Sequence, residues 1–176
     1  MLSENEAFFA HAASLLDEAK ALVLATTHEG ASPSACSLFF VRDGLALAWL
    51  SDEQSRHSRN VAREARAAAA VHVEAPPAEL RGVQLEGEVF LVGDAGERER
   101  ILRSYKLRHG LGDDFDRTIA KSGLYLFRPR WIRVIDNRIR FGFKAERTLP
   151  YSHGSDTTIA CLPTCRSALL AISEKS

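Results

Sequence analysis

Leu50-Ser51-Asp52-Glu53-Gln54-Ser55-Arg56-His57-Ser58-Arg59-Asn60 joins the end of an apolar, strand-like run to the start of a short helix. Ser55 is a good N-cap, and the helix it opens, through Glu64, has few large apolar residues. A helix start presents unpaired N–H groups and a partial positive charge. Here it also presents Ser51, Ser55, Arg56 and His57, which together form a set of donors suited to a phosphate monoester. On spacing alone a capped, solvated surface helix explains the same residues, and both readings stay open at this point.

The segments around this junction alternate with period two. Leu22 to Thr27, Ser34 to Val41 and Leu45 to Ser51 precede it as three β-type runs, the last two joined by the hairpin signal Asp43-Gly44. A fourth strand, Ala67 to Val73, stops at Pro76-Pro77, and a fifth runs from Val83 to Val92. Later runs are Leu124 to Phe127, Trp131 to Ile135 and Ile139 to Phe143. Two helices frame the strands. The first opens on a Ser3/Glu6 capping box, with Leu2 placed to staple onto Ala7, and carries the apolar stripe Phe8, Phe9, Ala12, Leu15, Leu16 and Ala19. The second, Ala95 to His109, has Asp94 as N-cap and Gly110 just past its end. Six or seven strands with helices inserted between hairpins, and no β-α-β alternation, predict an α+β, mainly β fold. Its expected form is an antiparallel split β-barrel with flanking helices. The domain is expected over residues 1–144. Residues 145–176 read as a C-terminal tail, with a short helix over Arg166 to Ile172 as its one candidate element.

The chain has 176 residues, 45% of them apolar, which suits one globular domain. Its 23 basic and 23 acidic residues give no net charge and argue against a general nucleic-acid or membrane-surface binder. The distribution is uneven. Residues 1–54 hold eight acids against Lys20 and Arg42, whereas Arg56, Arg59, Arg63 and Arg66 follow within eleven positions. Local basic clusters in a neutral protein suggest a small anionic ligand. Cys36, Cys161 and Cys165 make neither a disulfide scaffold nor a zinc pattern, and the histidines lack metal-ligand spacing. With no basic leader pattern and no apolar run long enough to span a bilayer, the expected location is the cytoplasm.

The order of elements, with Ser55-Arg56-His57-Ser58-Arg59-Asn60 after the third strand and Arg81-Gly82-Val83-Gln84-Leu85-Glu86-Gly87-Glu88 in the fifth, resembles the pyridoxamine 5′-phosphate oxidase-like, FMN-binding split-barrel superfamily. Many members carry an S-R-K-x-x-N-type segment at the first place and an R-x-V-x-x-x-G-type strand at the second. The stretch Trp131 to Asn137, with Phe141-Gly142-Phe143-Lys144, resembles a small bacterial branch of it. The resemblance implies that Arg56 and His57 hold the FMN phosphate, with Leu50-Ser51 at the strand end and Ser55 nearby. His57 stands where many relatives have lysine. Ala35-Cys36-Ser37-Leu38 matches the segment whose backbone lies along the isoalloxazine ring, and Gln84 falls where an amide reaches the ring's polar edge. Trp131 and Arg133 lie in the late strand that often completes the site from the other subunit. A homodimer with the flavin at the interface is therefore implied.

The expected function is that of an FMN-binding protein acting as a flavin-dependent oxidoreductase on a small molecule, with NAD(P)H as a candidate electron donor. The alternative is a non-catalytic module of the same fold holding flavin, haem or another planar ligand. No residue is singled out as a catalytic acid or base, and no nucleic-acid or membrane partner is expected. The C-terminal substrate segment of the pyridoxamine phosphate oxidases is not recognisable, so vitamin B6 oxidation is not expected.

Overall fold

A computed structural model describes residues 2–150 of the chain. The expected tail and its candidate helix fall mostly beyond these, as do Cys161 and Cys165. Helix α1 (Glu4–Glu18) is followed by β1 (Ala21–Thr26), β2 (Ser34–Phe39), β3 (Val41–Asp43), β4 (Ala46–Ser51) and α2 (Arg56–Arg63). Then come β5 (Arg66–Val73), β6 (Arg81–Leu91), α3 (Ala95–His109), α4 (Asp116–Ala120), β7 (Gly123–Asp136) and β8 (Lys144–Thr148). The strands form one antiparallel sheet in the order β2-β1-β5-β6-β7-β4-β3, with β8 also on β7. This curled, mainly β sheet with helices around it is the split-barrel architecture that the period-two segments predict.

The strand count rises to eight for local reasons. Phe40 is fully buried and ends β2, so Val41–Asp43 leave the edge beside β1 and pair with β4 instead. The turn between β3 and β4 holds Gly44 at φ 62°, as the Asp-Gly signal anticipates. Leu124 to Phe127 and Trp131 to Ile135 are not two strands but one. The N-terminal part of β7 pairs with β4 through Phe127, and its C-terminal part pairs with β8 from Trp131. Pro129, which has no N–H to donate, falls in the gap between those partners. Ile139 to Phe143 is a turn rather than a strand, and the returning strand is Lys144–Thr148. The ordered sheet therefore passes the boundary placed at Lys144, and the Leu149 N–H donates to the Arg130 carbonyl at 2.8 Å.

One face of the sheet is covered by α1. Its Phe8, Ala12, Leu15 and Leu16 join Leu22, Leu24, Trp49, Leu85, Phe127 and Ile132 in the main core. The capping box forms as read, with Ser3 N–H on Glu6 Oε2 at 2.7 Å and Glu6 N–H on Ser3 Oγ at 3.2 Å. Leu2, however, stays 56% exposed instead of stapling the helix entry. The middle of α1 is tied to the β7–β8 turn. His11 Nε2 lies 3.0 Å from Asp136 Oδ2, and Arg138 Nη2 donates to the same oxygen at 2.7 Å. The Arg138 guanidinium, followed in effect by its backbone N–H and His11, holds the buried Asp136 carboxyl far below the usual carboxylate range.

Gly87 is the point where β6 and β7 change register. A Cβ there would overlap the Arg128 carbonyl and crowd Pro129 Cα, both of them backbone. The bulge thus requires the glycine that ends the R-x-V-x-x-x-G pattern. Gly87→Ala is expected to lower unfolding free energy by about 1–3 kcal/mol, by analogy with overpacked cores. Gly93→Ala, whose Cβ meets nothing within 4 Å, should stay near wild type in the same urea titration.

Candidate functional site

The end of β4 and the start of α2 bring four hydrogen-bonding side chains together. Ser51 Oγ is 2.8 Å from His57 Nε2, Ser55 Oγ is 3.1 Å from the same nitrogen, and the two hydroxyls are 3.3 Å apart. Ser55 also donates to Ser58 Oγ at 2.8 Å while its oxygen caps the Ser58 N–H at 3.3 Å. Burial holds the His57 imidazole below its usual range, so the ring is neutral near pH 7 and has a single N–H to offer. Arg56 lies beside them in sequence, with Nη2 3.5 Å from the Ser32 carbonyl in the β1–β2 turn.

Asn60, quoted with the segment but given no role by sequence reasoning, is what fixes this helix. It is 4% exposed, and its Nδ2 donates to Thr26 Oγ1 at 3.0 Å and Ser34 Oγ at 3.2 Å. The amide thereby ties α2 to the end of β1 and the beginning of β2. Its signal in the sequence is the final Asn of the S-R-x-x-x-N spacing. Beneath α2, a hollow of about 150 Å³ is lined by Glu53, Ser58, Val61 and Tyr125, among others. Tyr125 stacks on the buried Trp49 with centroids 6.0 Å apart.

The remaining expected residues lie on the strands. Side chains directly opposite across neighbouring strands share a face. The pairings therefore place Ser37, Val23, Ala70, Gln84, Arg133 and Glu146 in one row on the sheet face turned away from α1. The next row is Ala35, Ala25, Ala68, Glu86, Trp131 and Thr148. Four alanines make the middle of this face nearly flat. Gln84 Oε1 is 3.5 Å from Arg133 Nη1, Arg133 donates to Glu146 at 2.8 Å, and its guanidinium lies 4.7 Å over the Trp131 ring. Cys36 and Leu38 point the opposite way and pack on the core, and burial pushes the Cys36 thiol up. Leu50 packs against a second apolar cluster with Leu124 and Leu126. Of the expected residues, Ser51, Ser55 and His57 meet in one cluster with Arg56 beside them, and Ala35, Ser37 and Gln84 share the open face. Only the backbone of Cys36 and Leu38 can take part there. Arg81 is an ion-pair residue, bound to Glu18 of α1.

The cluster and the face adjoin. Asn60 holds Thr26 and Ser34, and the neighbouring Ala25 and Ala35 lie on the open face. Arg56, on the Ser32 carbonyl, stands at the turn that leads into the alanine-paved face at Ala35. A larger hollow of about 380 Å³, lined by Ala95, Arg98, Leu102 and Lys106 of α3, shares no residue with either group.

Curled sheet, bulged β6–β7 pair and phosphate-type helix start together define a split-barrel protein. The family described as pyridoxamine 5′-phosphate oxidase matches residues 8–136, and the chain belongs to that family. No curated protein matches the chain in sequence. Among solved structures, a conserved hypothetical protein from Mycobacterium tuberculosis is similar over 89% of this chain and 95% of its own, at 22% identity and TM-score 0.67. A haem-binding protein from Mycobacterium smegmatis aligns at 18% identity and TM-score 0.64, covering 78% of this chain and 57% of that one. Campylobacter jejuni ChuZ aligns at 11% identity and TM-score 0.69, covering 84% and 61%. In both of these last two, the present chain spans less than two thirds of the longer relative. At these identities the likeness is one of fold. Among the described residues, no helix is long and apolar enough to cross a membrane.

Two measurements test this geometry. Asn60→Ala removes the amide donor that Thr26 and Ser34 share and should cost about 1–3 kcal/mol in urea unfolding. Because the folded pKa of His57 lies below the unfolded value of about 6.5, its contribution to stability is complete above that pH and is lost as pH falls below it. A His57→Gln variant should therefore show a shallower loss of stability between pH 7 and pH 5 than wild type.

Proposed function

We propose that the protein binds FMN and acts as a flavin-dependent oxidoreductase on a small molecule, working as a homodimer with the flavin at the subunit interface. The observation that carries this reading is the Ser51, Ser55 and His57 cluster at the start of α2, with Arg56 beside it at the β1–β2 turn that leads into the sheet face carrying Gln84. The donors suit a phosphate monoester: Arg56 forks onto two oxygens, and the serine hydroxyls and His57 donate to the rest. The alanine rows let a planar ring approach the backbone, and the Gln84 amide has both a donor and an acceptor for the ring's polar edge. Bound flavin supplies the redox chemistry, and the protein supplies anchoring, orientation and a wall against water.

The dimer follows from what the single chain leaves open. Phe39 is 62% exposed and Val23 37% exposed on the same face as the alanines, and none of the described residues forms a second wall over that surface. A second copy covers the face and brings Trp131 and Arg133 toward the ring edge, as the resemblance implies. The electron donor in this reading is a freely diffusing reductant such as NAD(P)H, and the setting is the cytoplasm. Likeness to the Mycobacterium smegmatis haem-binding protein supports a second reading, a non-catalytic module for a different planar ligand.

Titration of FMN by fluorescence quenching, with gel filtration alongside, tests the proposal. Wild type should bind one FMN per subunit as a dimer, and Arg56→Ala should weaken binding by about tenfold or more, the loss expected for a charge-assisted pair. Binding should be tighter at pH 6 than at pH 8, because the anion favours protonation of a His57 that burial keeps neutral. His57→Lys should raise affinity at pH 8 and remove most of that dependence. Absence of FMN binding at both pH values overturns the flavin reading, and a Soret band on haem titration then favours the second.

A further inference from the structure

We propose that α2 extends the phosphate site into a second anion subsite, formed by Arg59 and Arg63 with His28 orienting Arg63, that takes the diphosphate tail of a dinucleotide. The proposal rests on the flavin reading above and narrows its ligand from a nucleotide to a dinucleotide such as FAD.

Arg56, Arg59 and Arg63 are spaced by three and four residues and so share one face of the helix as successive neighbours. At 1.5 Å per residue they make a basic stripe about 10 Å long that begins at the proposed phosphate position. The helix carries no acid. Among the described residues its arginines reach only neutral groups: Arg56 the Ser32 carbonyl, Arg59 the Gln54 carbonyl, and Arg63 the His28 ring, with Nη1 3.5 Å from Nε2. Several arginines elsewhere hold carboxylates, as Arg100 does Asp43 at 2.7 Å and Arg42 does Asp17 at 2.7 Å, while Arg98 donates to the Ile119 and Ser122 carbonyls. Glu64, the acid next in sequence, is already held by Arg66 at 2.7 Å. Asp52, in the loop before the helix, accepts from the Gln54 N–H at 2.8 Å.

His28 acts on the stripe by holding Arg63 in place. Its Nδ1 lies 2.9 Å from the Glu29 carbonyl, which can only accept, so the ring's proton sits on Nδ1 and the Nε2 lone pair faces Arg63. The β1–β2 turn thus presents an imidazole beside a guanidinium with no carboxylate between them. Guanidinium forks match phosphate oxygens, and a series of three along one helix face matches a string of anions better than a single monoester. The stripe runs along α2 from the ring's phosphate end. It therefore suits a tail on the same ligand rather than a second phosphate lying over the ring.

Parallel titrations with FMN and FAD test this, using wild type and an Arg59→Gln/Arg63→Gln double variant whose changes lie on exposed positions. Wild type should bind FAD about fivefold or more tighter than FMN, and the double variant should lose that preference while FMN affinity holds within about twofold. Equal affinity of wild type for the two flavins, or an equal fall for both in the variant, overturns the second subsite. If neither flavin binds, the flavin reading fails, and titration with inorganic tripolyphosphate against orthophosphate decides the subsite alone. Tripolyphosphate binding that the variant loses supports it, and no tripolyphosphate binding overturns it. Binding of a short RNA by wild type in preference to FAD likewise overturns it in favour of a nucleic-acid surface.

Discussion

The architecture depends on the long antiparallel pairing of β6 with β7, which runs from Arg81 opposite Asp136 to Leu91 opposite Tyr125. Two strands of this length must twist and coil, and the register change at Gly87 sharpens the bend where β7 also exchanges one edge partner for another. The curl gives the sheet two unequal faces. One encloses Leu85, Phe127, Ile132 and the apolar side of α1. The other carries alanines, Gln84 and Arg133 and is left open by the described residues. A flat sheet could not enclose the first set while presenting the second as one continuous surface.

Charge placement follows the same division. The chain is neutral overall, and much of its charge is neutralised within the fold, through pairs such as Arg100 with Asp43, Arg130 with Glu88 and Arg138 with Asp136. Helix α2 departs from that pattern. It begins with a serine cap and a neutral histidine, carries three arginines without a carboxylate, and is held to the sheet by a buried amide rather than by an ion pair. A positive helix start beside unneutralised guanidinium groups is unfavourable in isolation and favourable once an anion arrives. The structural links therefore leave these guanidinium groups without a carboxylate among the described residues, because Asn60 bears the anchoring that a salt bridge would otherwise supply.

Much of this was legible in residue order. Hairpin signals, caps and period-two runs specify the elements, because they act over two to five neighbouring residues: Gly44 turns as read, and Asp94 and Gly110 bound α3 as read. The clustering of Ser51, Ser55 and His57 was legible for the same reason, all three lying within one strand end and one helical turn. Where the reading broke, the cause was distant. Phe40 ends β2 because the core claims its ring. Pro129 does not break β7 because the partners on that edge change there. Lys144–Thr148 is a strand because β7 has an edge left to pair.

The sequence by itself determined the secondary elements, the antiparallel class and the local phosphate-type cluster, since each rests on backbone preferences and contacts a few residues long. Tertiary structure alone decided which side of each strand is open. That choice aligned Ser37, Ala70 and Gln84 from three separate strands, and it brought Asn60 to Thr26 and His28 to Arg63. Such contacts depend on register and curl, which are set when distant strands compete to bury their apolar faces, and no local pattern encodes the result.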